Sequence, residues 1–247
     1  MSADTSAVDL PSQVLVRYGG LAQWRGIDRL EVAFSSGGLA FQSRWVPHLL
    51  LNKTGTIFPR SYRVEIAAFP KPGFKGWFDG FSVGISSDNG VTLRRRDNAR
   101  SAFKAFRRSL WWDELDLMYF AGYALWNYLC FPFFLAREDL KLRRLKRPLA
   151  VQAMSGLEVE FPFGFPTHNP IQQFFFDGDS TLVRHDYTAE VIGWWAHAAH
   201  FACQHMEFDG FLFPTRRIVH PRITANRSQR FPTLVWIRIE DIHCVGG

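Results

Sequence analysis

The chain has 247 residues, a length that suits one large domain or two small ones, and β-rich single domains often reach it. Aromatic residues make up 16%, with 24 Phe and 9 Trp, which points either to a large aromatic core or to an aromatic-lined ligand pocket. The net charge of +6 is only mildly basic, and three widely spaced cysteines (Cys130, Cys203, Cys244) argue against a disulfide framework and for a reducing compartment.

In chain order, "MSADTSAVDLPSQ" has neither a basic n-region nor an apolar h-region, so a cytoplasmic protein without a signal peptide is expected. Residues 1–12 are expected to be flexible. "PSQVLVRYGGLAQWRGI" spaces Val14, Leu15, Tyr18, Leu21 and Trp24 as a helix broken at Gly19–Gly20. "RLEVAFSSGGLAFQSRW" reads as a hairpin around Ser35–Gly38, and "FDGFSVGISSDNGVTLRRR" as another turning at Asn89–Gly90. A helical region is expected from about Asp97 to Tyr128, with the acids of "DELDLMYFAGYALWNYL" in a first turn that favours them. Leu117 to Ala136 carries no charge and approaches the roughly 20 residues of a membrane span. Its tyrosines, Asn127 and Pro132 favour a helix packed on the protein's own sheet. "LKLRRLKR" reads as a strand with a wetted face. It and "LRRRD" lack the stacking aromatics of RNA-binding modules, so no nucleic-acid partner is expected. Turns at Asp177–Ser180 and Asp209–Gly210 then join strands of a meander that ends in "PTLVWIRIEDIHCV".

The segments "FFFDGDSTLVRHDYTAEVIG", "HMEFDGFLFPTRRIVHP", "TLVWIRIEDI" and "WWDELDLMYFAGYALWNYL" resemble a bacterial family of uncharacterised proteins, over about three quarters of the chain. The order of strands and turns is similar to the half-barrel fold of bacterial lipoprotein carriers. In that fold a curved antiparallel sheet holds an acyl chain against covering helices. The resemblance implies a fold and an apolar cavity, and it assigns no catalytic residue. Those carriers are exported, and no export signal is read here.

The residues themselves offer several candidates. In "HAAHFACQH" a strand puts His200 on one face with Gln204, and His197, Cys203 and His205 on the other, so no metal set converges. In "VRHDY" His185 and Tyr187 share a face, with Arg184 and Asp186 opposite. Each histidine is either a hydrogen-bonded structural group or a general acid or base, as is His168 in the loop "PTHNP". Tyr119, Tyr123, Trp126 and Asn127 share a helical face whose polar groups require partners, from the sheet or from a ligand. Of Arg216 and Arg217 one is expected to point inward, and Arg216 is taken as the ligand contact, with Asp186 as its alternative partner. Signatures of hydrolases, nucleotide-binding loops and zinc proteases are absent, and no cofactor is implied.

The expected fold is α+β: a long curved antiparallel β-sheet, a half-barrel, with helices covering the concave face of a single domain. Two functions fit. One is a cofactor-independent acid/base enzyme (isomerase, hydratase, lyase or cyclase) acting on a small hydrophobic or aromatic molecule in an enclosed cavity. It would use His185, His200 or His168 as base, Tyr123 and Asn127 as oxyanion donors, and Tyr119, Trp126, Tyr187, Arg216 and Trp24 as ligand contacts. The other is a carrier or sensor that binds an apolar molecule unchanged. The polar groups on the aromatic stripe favour the first. Neither reading includes a metal or a membrane partner, and oligomeric state is left open.

Overall fold

The computed structural model describes residues 9–145, 155–223 and 227–246. Short helices α1 (Leu10–Arg17) and α2 (Leu21–Trp24) lead into strand β1 (Ile27–Gly37) and helix α3 (Leu39–Gln42). Five strands follow: β2 (Lys53–Phe58), β3 (Arg63–Ala67), β4 (Phe74–Phe78), β5 (Val83–Ser87) and β6 (Thr92–Arg96). A 3-10 turn at Ala99–Lys104 and helix α4 (Arg107–Leu110) precede the long helix α5 (Glu114–Leu129). The rest is β7 (Lys141–Arg144), β8 (Ser155–Glu160), β9 (Ile171–Phe176), β10 (Leu182–Thr188), β11 (His197–Phe208), β12 (Phe211–Pro221) and β13 (Val235–Gly246).

All thirteen strands form one antiparallel sheet in the order β6-β5-β4-β3-β2-β1-β13-β12-β11-β10-β9-β8-β7. The chain therefore meanders from the centre to one edge at β6. It crosses over the concave face as α5 and re-enters at the opposite edge, β7. It then meanders back until β13 lies beside β1. The sheet is curved and unclosed, a half-barrel, because β6 and β7 remain edges. A sheet this wide curls rather than staying open and flat.

Helix α5 exists because its sequence leaves it no other place. Its residues from Leu115 to Leu129 are all buried and mostly apolar, so the helix is enclosed on every side and belongs inside. Its start is fixed by a capping box: the Asp113 carboxylate accepts from the Asp116 amide (2.9 Å), and the Asp116 carboxylate from the Asp113 amide (3.0 Å). Arg96 reaches both carboxylates and Arg108 reaches Asp116 (2.7 Å), so the buried Asp116 charge is paired. Two glycines let helix and sheet approach. A Cβ on Gly122 would lie 2.5 Å from Cβ of Phe78, and one on Gly76 would lie 2.6 Å from the Met118 sulfur.

The structure departs from the sequence reading at several points. The Ser35–Gly38 segment is not a hairpin. β1 runs on to Gly37 and turns into α3, with Gly38 at φ 130 pressed against the Leu234 carbonyl. The helical region from Asp97 breaks into a 3-10 turn, α4 and α5, because Asp113 caps a fresh helix. Leu10 and Pro11 are buried in α1 although residues 1–12 were expected to be flexible. Residues 1–8 lie outside the described residues, as do Lys146 and Arg147 of the "LKLRRLKR" strand. No helix among the described residues is long and apolar enough to cross a membrane. Replacing Asp113 by Ala removes the cap and should lower stability by about 1–2 kcal/mol. A denaturant midpoint equal to wild type would contradict this account of the helix start.

Candidate functional site

The concave face under α5 carries a buried histidine–tyrosine network. The loop between β8 and β9 delivers His168, which has no exposed surface. Its Nδ1 lies 3.0 Å from the Tyr123 hydroxyl and its Nε2 2.7 Å from the Tyr128 hydroxyl. The Tyr128 hydroxyl in turn lies 3.1 Å from that of Tyr187, whose ring stacks on His168 at 3.8 Å. Asn127 ties the loop to the helix by donating to the carbonyls of Pro166 and Tyr123, both at 2.7 Å.

His185 and Tyr187 do share the inner face of β10. The Gln172 amide nitrogen donates to Thr167 Oγ1 and to the Asn169 carbonyl, so its oxygen is free to accept from His185 Nε2 at 2.6 Å. The His185 ring stacks on Phe174 at 4.2 Å. His200 also points inward, edge-on to Tyr128 at 4.6 Å. It does so without the rest of its segment: His197 lies outside, bonded to Thr188, while His205 reaches the Tyr18 hydroxyl at 3.4 Å. Gln204, at φ 51, breaks the strand alternation between them. Among the described residues no group of three or more His, Cys, Asp or Glu side chains could hold a metal.

Burial is the leading influence on these groups. It pushes the His168, His185 and His200 imidazoles well below 6.5, reinforced by Arg217 at the latter two, so all three are neutral at pH 7. It pushes the phenols up, Tyr128 to about 12 and Tyr123 and Tyr187 well above their usual range. With His168 neutral, one phenol donates to its bare nitrogen and the other accepts its N–H.

Other predicted residues lie elsewhere. Trp126 donates to the carbonyls of Ser61 (2.7 Å) and Phe58 (3.1 Å). Trp24 stacks on Phe133 (4.0 Å) and meets Phe211 rather than the histidines. Arg216 is exposed on the convex face, and the inward arginine is Arg217, fully buried against α5, because strand register puts Arg217 opposite Ala202 on the inner side. Asp186 does not serve Arg216; Arg184 holds it bidentately at 2.6 and 2.8 Å. Sequence reasoning missed Tyr128 and Gln172. Tyr128 stands five residues from Tyr123, a spacing that puts the two on different helix faces. Gln172 is a polar residue at a buried strand position, a signal that was present in "IQQFFF".

The enclosed cavity expected under α5 is not there: the side chains of the helix and of the sheet nearly fill that space. Two voids there, one beside Phe120 and Ala124 and one beside Arg217, hold about 20 and 10 Å³. Ligand-sized room lies instead in open grooves: one of about 520 Å³ beside Arg216, Trp236 and Arg238, and a more apolar one of about 800 Å³ at the rim. Tyr119 lies at its base, and Phe81, Phe161, Phe163, Phe165 and Pro166 are among the residues lining it. Arg100 lies in this groove too, bonded to the carbonyls of Thr167 and His168 and to Glu190.

No protein-family model matches the chain, and no curated protein matches it. Solved structures to which the chain is similar include the following two. A DUF1329 family protein from Desulfovibrio piger is 13% identical, with a TM-score of 0.47 over 97% of this chain and 94% of that one. A LolA superfamily protein from Nitrosomonas europaea is 8% identical, with a TM-score of 0.49 over 94% and 92%.

The depressed imidazoles make stability depend on pH. Below about 6.5 the unfolded chain takes up protons that folded His168, His185 and His200 refuse. Stability should therefore be flat above pH 7. It should fall as the pH drops below 6.5, by about 1.4 kcal/mol per pH unit for each such histidine. His185→Gln should reduce the slope. Urea midpoints that stay level from pH 7.5 to 5.5 would contradict the neutral assignment.

Proposed function

We propose that this protein binds an apolar or aromatic small molecule without transforming it, in the groove at the rim of the half-barrel. The observation that carries this reading is the groove itself. Its volume falls within the usual range of small-molecule sites, and its walls are phenylalanines and prolines around a few polar groups. Phe81 and Phe163, 61% and 108% exposed, stand at its lip, where an apolar ligand would take them out of water. Tyr119 offers the site a hydroxyl and Arg100 a cation already neutralised by Glu190.

Acid–base catalysis is the second reading, and one contact favours it: a histidine nitrogen, His168 Nδ1, lies 3.0 Å from the Tyr123 hydroxyl. The binding reading is preferred because His168 spends both nitrogens on Tyr123 and Tyr128 and has no exposed surface from which to reach a ligand.

Native mass spectrometry of protein purified from cells should reveal a co-purified apolar molecule, and a neutral environment-sensitive dye such as Nile red should bind. The double variant Phe81→Asp, Phe163→Asp changes two exposed residues. It should keep the fold and weaken dye binding by about tenfold or more. Dye binding that is absent, or untouched by the double variant, would sink the proposal. Turnover of a bound molecule, lost in His168→Gln, would move the case to catalysis.

A further inference from the structure

Arg217 is a buried cation with few partners, more deeply buried than Arg44, another interior arginine without a carboxylate among the described residues. It is 2% exposed, and among the described residues no carboxylate pairs with it. Its contacts are a hydrogen bond from Nη2 to the Tyr128 carbonyl (2.9 Å), a 3.5 Å approach of Nη1 to His200 Nε2, and the Tyr128 ring 5.0 Å below. Its Nε has no acceptor. A guanidinium only donates, so His200 must accept at Nε2 and carry its proton on Nδ1, which is also buried without a partner. The Arg217 guanidinium thus keeps one donor without an acceptor, next to a histidine that also has one. Arg184, by contrast, is fully answered by Asp186 on the other face of the sheet. An isolated charge taken out of water is very costly, so a site of this kind calls for a counter-charge.

A void of about 10 Å³ lies against Arg217, walled by Tyr128, His185, Phe131, Phe134 and Phe174. That is room for a single small particle and too little for a carboxylate or phosphate group. Asn127 also lines the void, but its amide N–H groups are spent on the Tyr123 and Pro166 carbonyls, so Arg217 is the charged group there. We propose that this void is a halide site in which Arg217 holds one chloride ion. Burial pulls the Arg217 guanidinium down to about 10 with only phenols and a thiol nearby to support it, in keeping with a missing anion. The chloride would be a structural ligand of the folded core, independent of whatever occupies the rim groove.

The test is unfolding of the full chain at constant ionic strength, with sodium chloride replacing sodium gluconate. If one chloride binds only the folded state, the logarithm of the folding equilibrium constant should rise with the logarithm of chloride concentration, with a slope of about one above the dissociation constant. Bromide should act like chloride. Arg217→Met, close in length and apolar, should fold and show no halide dependence. Crystals of wild-type protein soaked in bromide should give an anomalous peak beside Arg217, a readout that stands even if the variant does not fold. Stability indifferent to halide, a dependence retained in Arg217→Met, or a void holding only water in the bromide-soaked crystal would each overturn the proposal.

Discussion

Everything in this fold depends on one helix covering one hollow. A curved sheet of thirteen strands has an inner face that must leave water, and a single 16-residue helix supplies most of the cover. Burying a large apolar side chain is worth about 1.5–3 kcal/mol, and α5 buries nearly every side chain it has. That gain requires close approach, which Gly76 and Gly122 allow, and it requires that the helix start be satisfied away from solvent. The Asp113–Asp116 capping box, with Arg96 and Arg108 around it, meets that need: the orphan amides find acceptors and the acceptors find cations.

The polar groups that α5 brings inside are handled by mutual satisfaction rather than by exposure. Tyr123, His168, Tyr128 and Tyr187 form a hydrogen-bonded chain in that order, and Asn127 bonds to main-chain carbonyls. Such a network costs little if complete and specifies the position of the β8–β9 loop, because a shifted loop would leave several donors unanswered. Neutral imidazoles are well suited to this task, since each presents one donor and one acceptor and no net charge. Arg217 breaks the pattern, as a permanent cation among neutral groups.

Much of the architecture was legible in the sequence, for local physical reasons. Asp209–Gly210, Asn89–Gly90 and Asp177–Ser180 mark turns because those residues accept the backbone angles that turns need. The alternation in "VRHDY" placed His185 and Tyr187 together, and helical spacing placed Tyr119 near Tyr123. What was not legible depends on long-range registration. Whether Arg216 or Arg217 faces inward is a matter of parity, set by pairing with β11 and β13 rather than by anything adjacent in sequence. Gln204 turns left-handed within a strand and reverses the expectation for His205. Tyr128 joins Tyr123 at His168 because an imidazole presents nitrogens on two sides, so two helix faces can meet on one ring. The filled interior was also hidden: ring count speaks to volume available for packing, not to whether that packing is complete.

The pairing of β1 with β13 at the middle of the sheet carries a consequence for how the protein comes into being. The first strand and the last are neighbours, so during synthesis the central seam stays unzipped until β13, some two hundred residues after β1, has emerged. Until then the nascent meander of β1 to β6 presents β1 as a naked edge, able to recruit foreign strands. Contacts so distant along the chain also slow the search for the native state. Until β13 closes it, that edge is where the growing sheet is most open to mispairing.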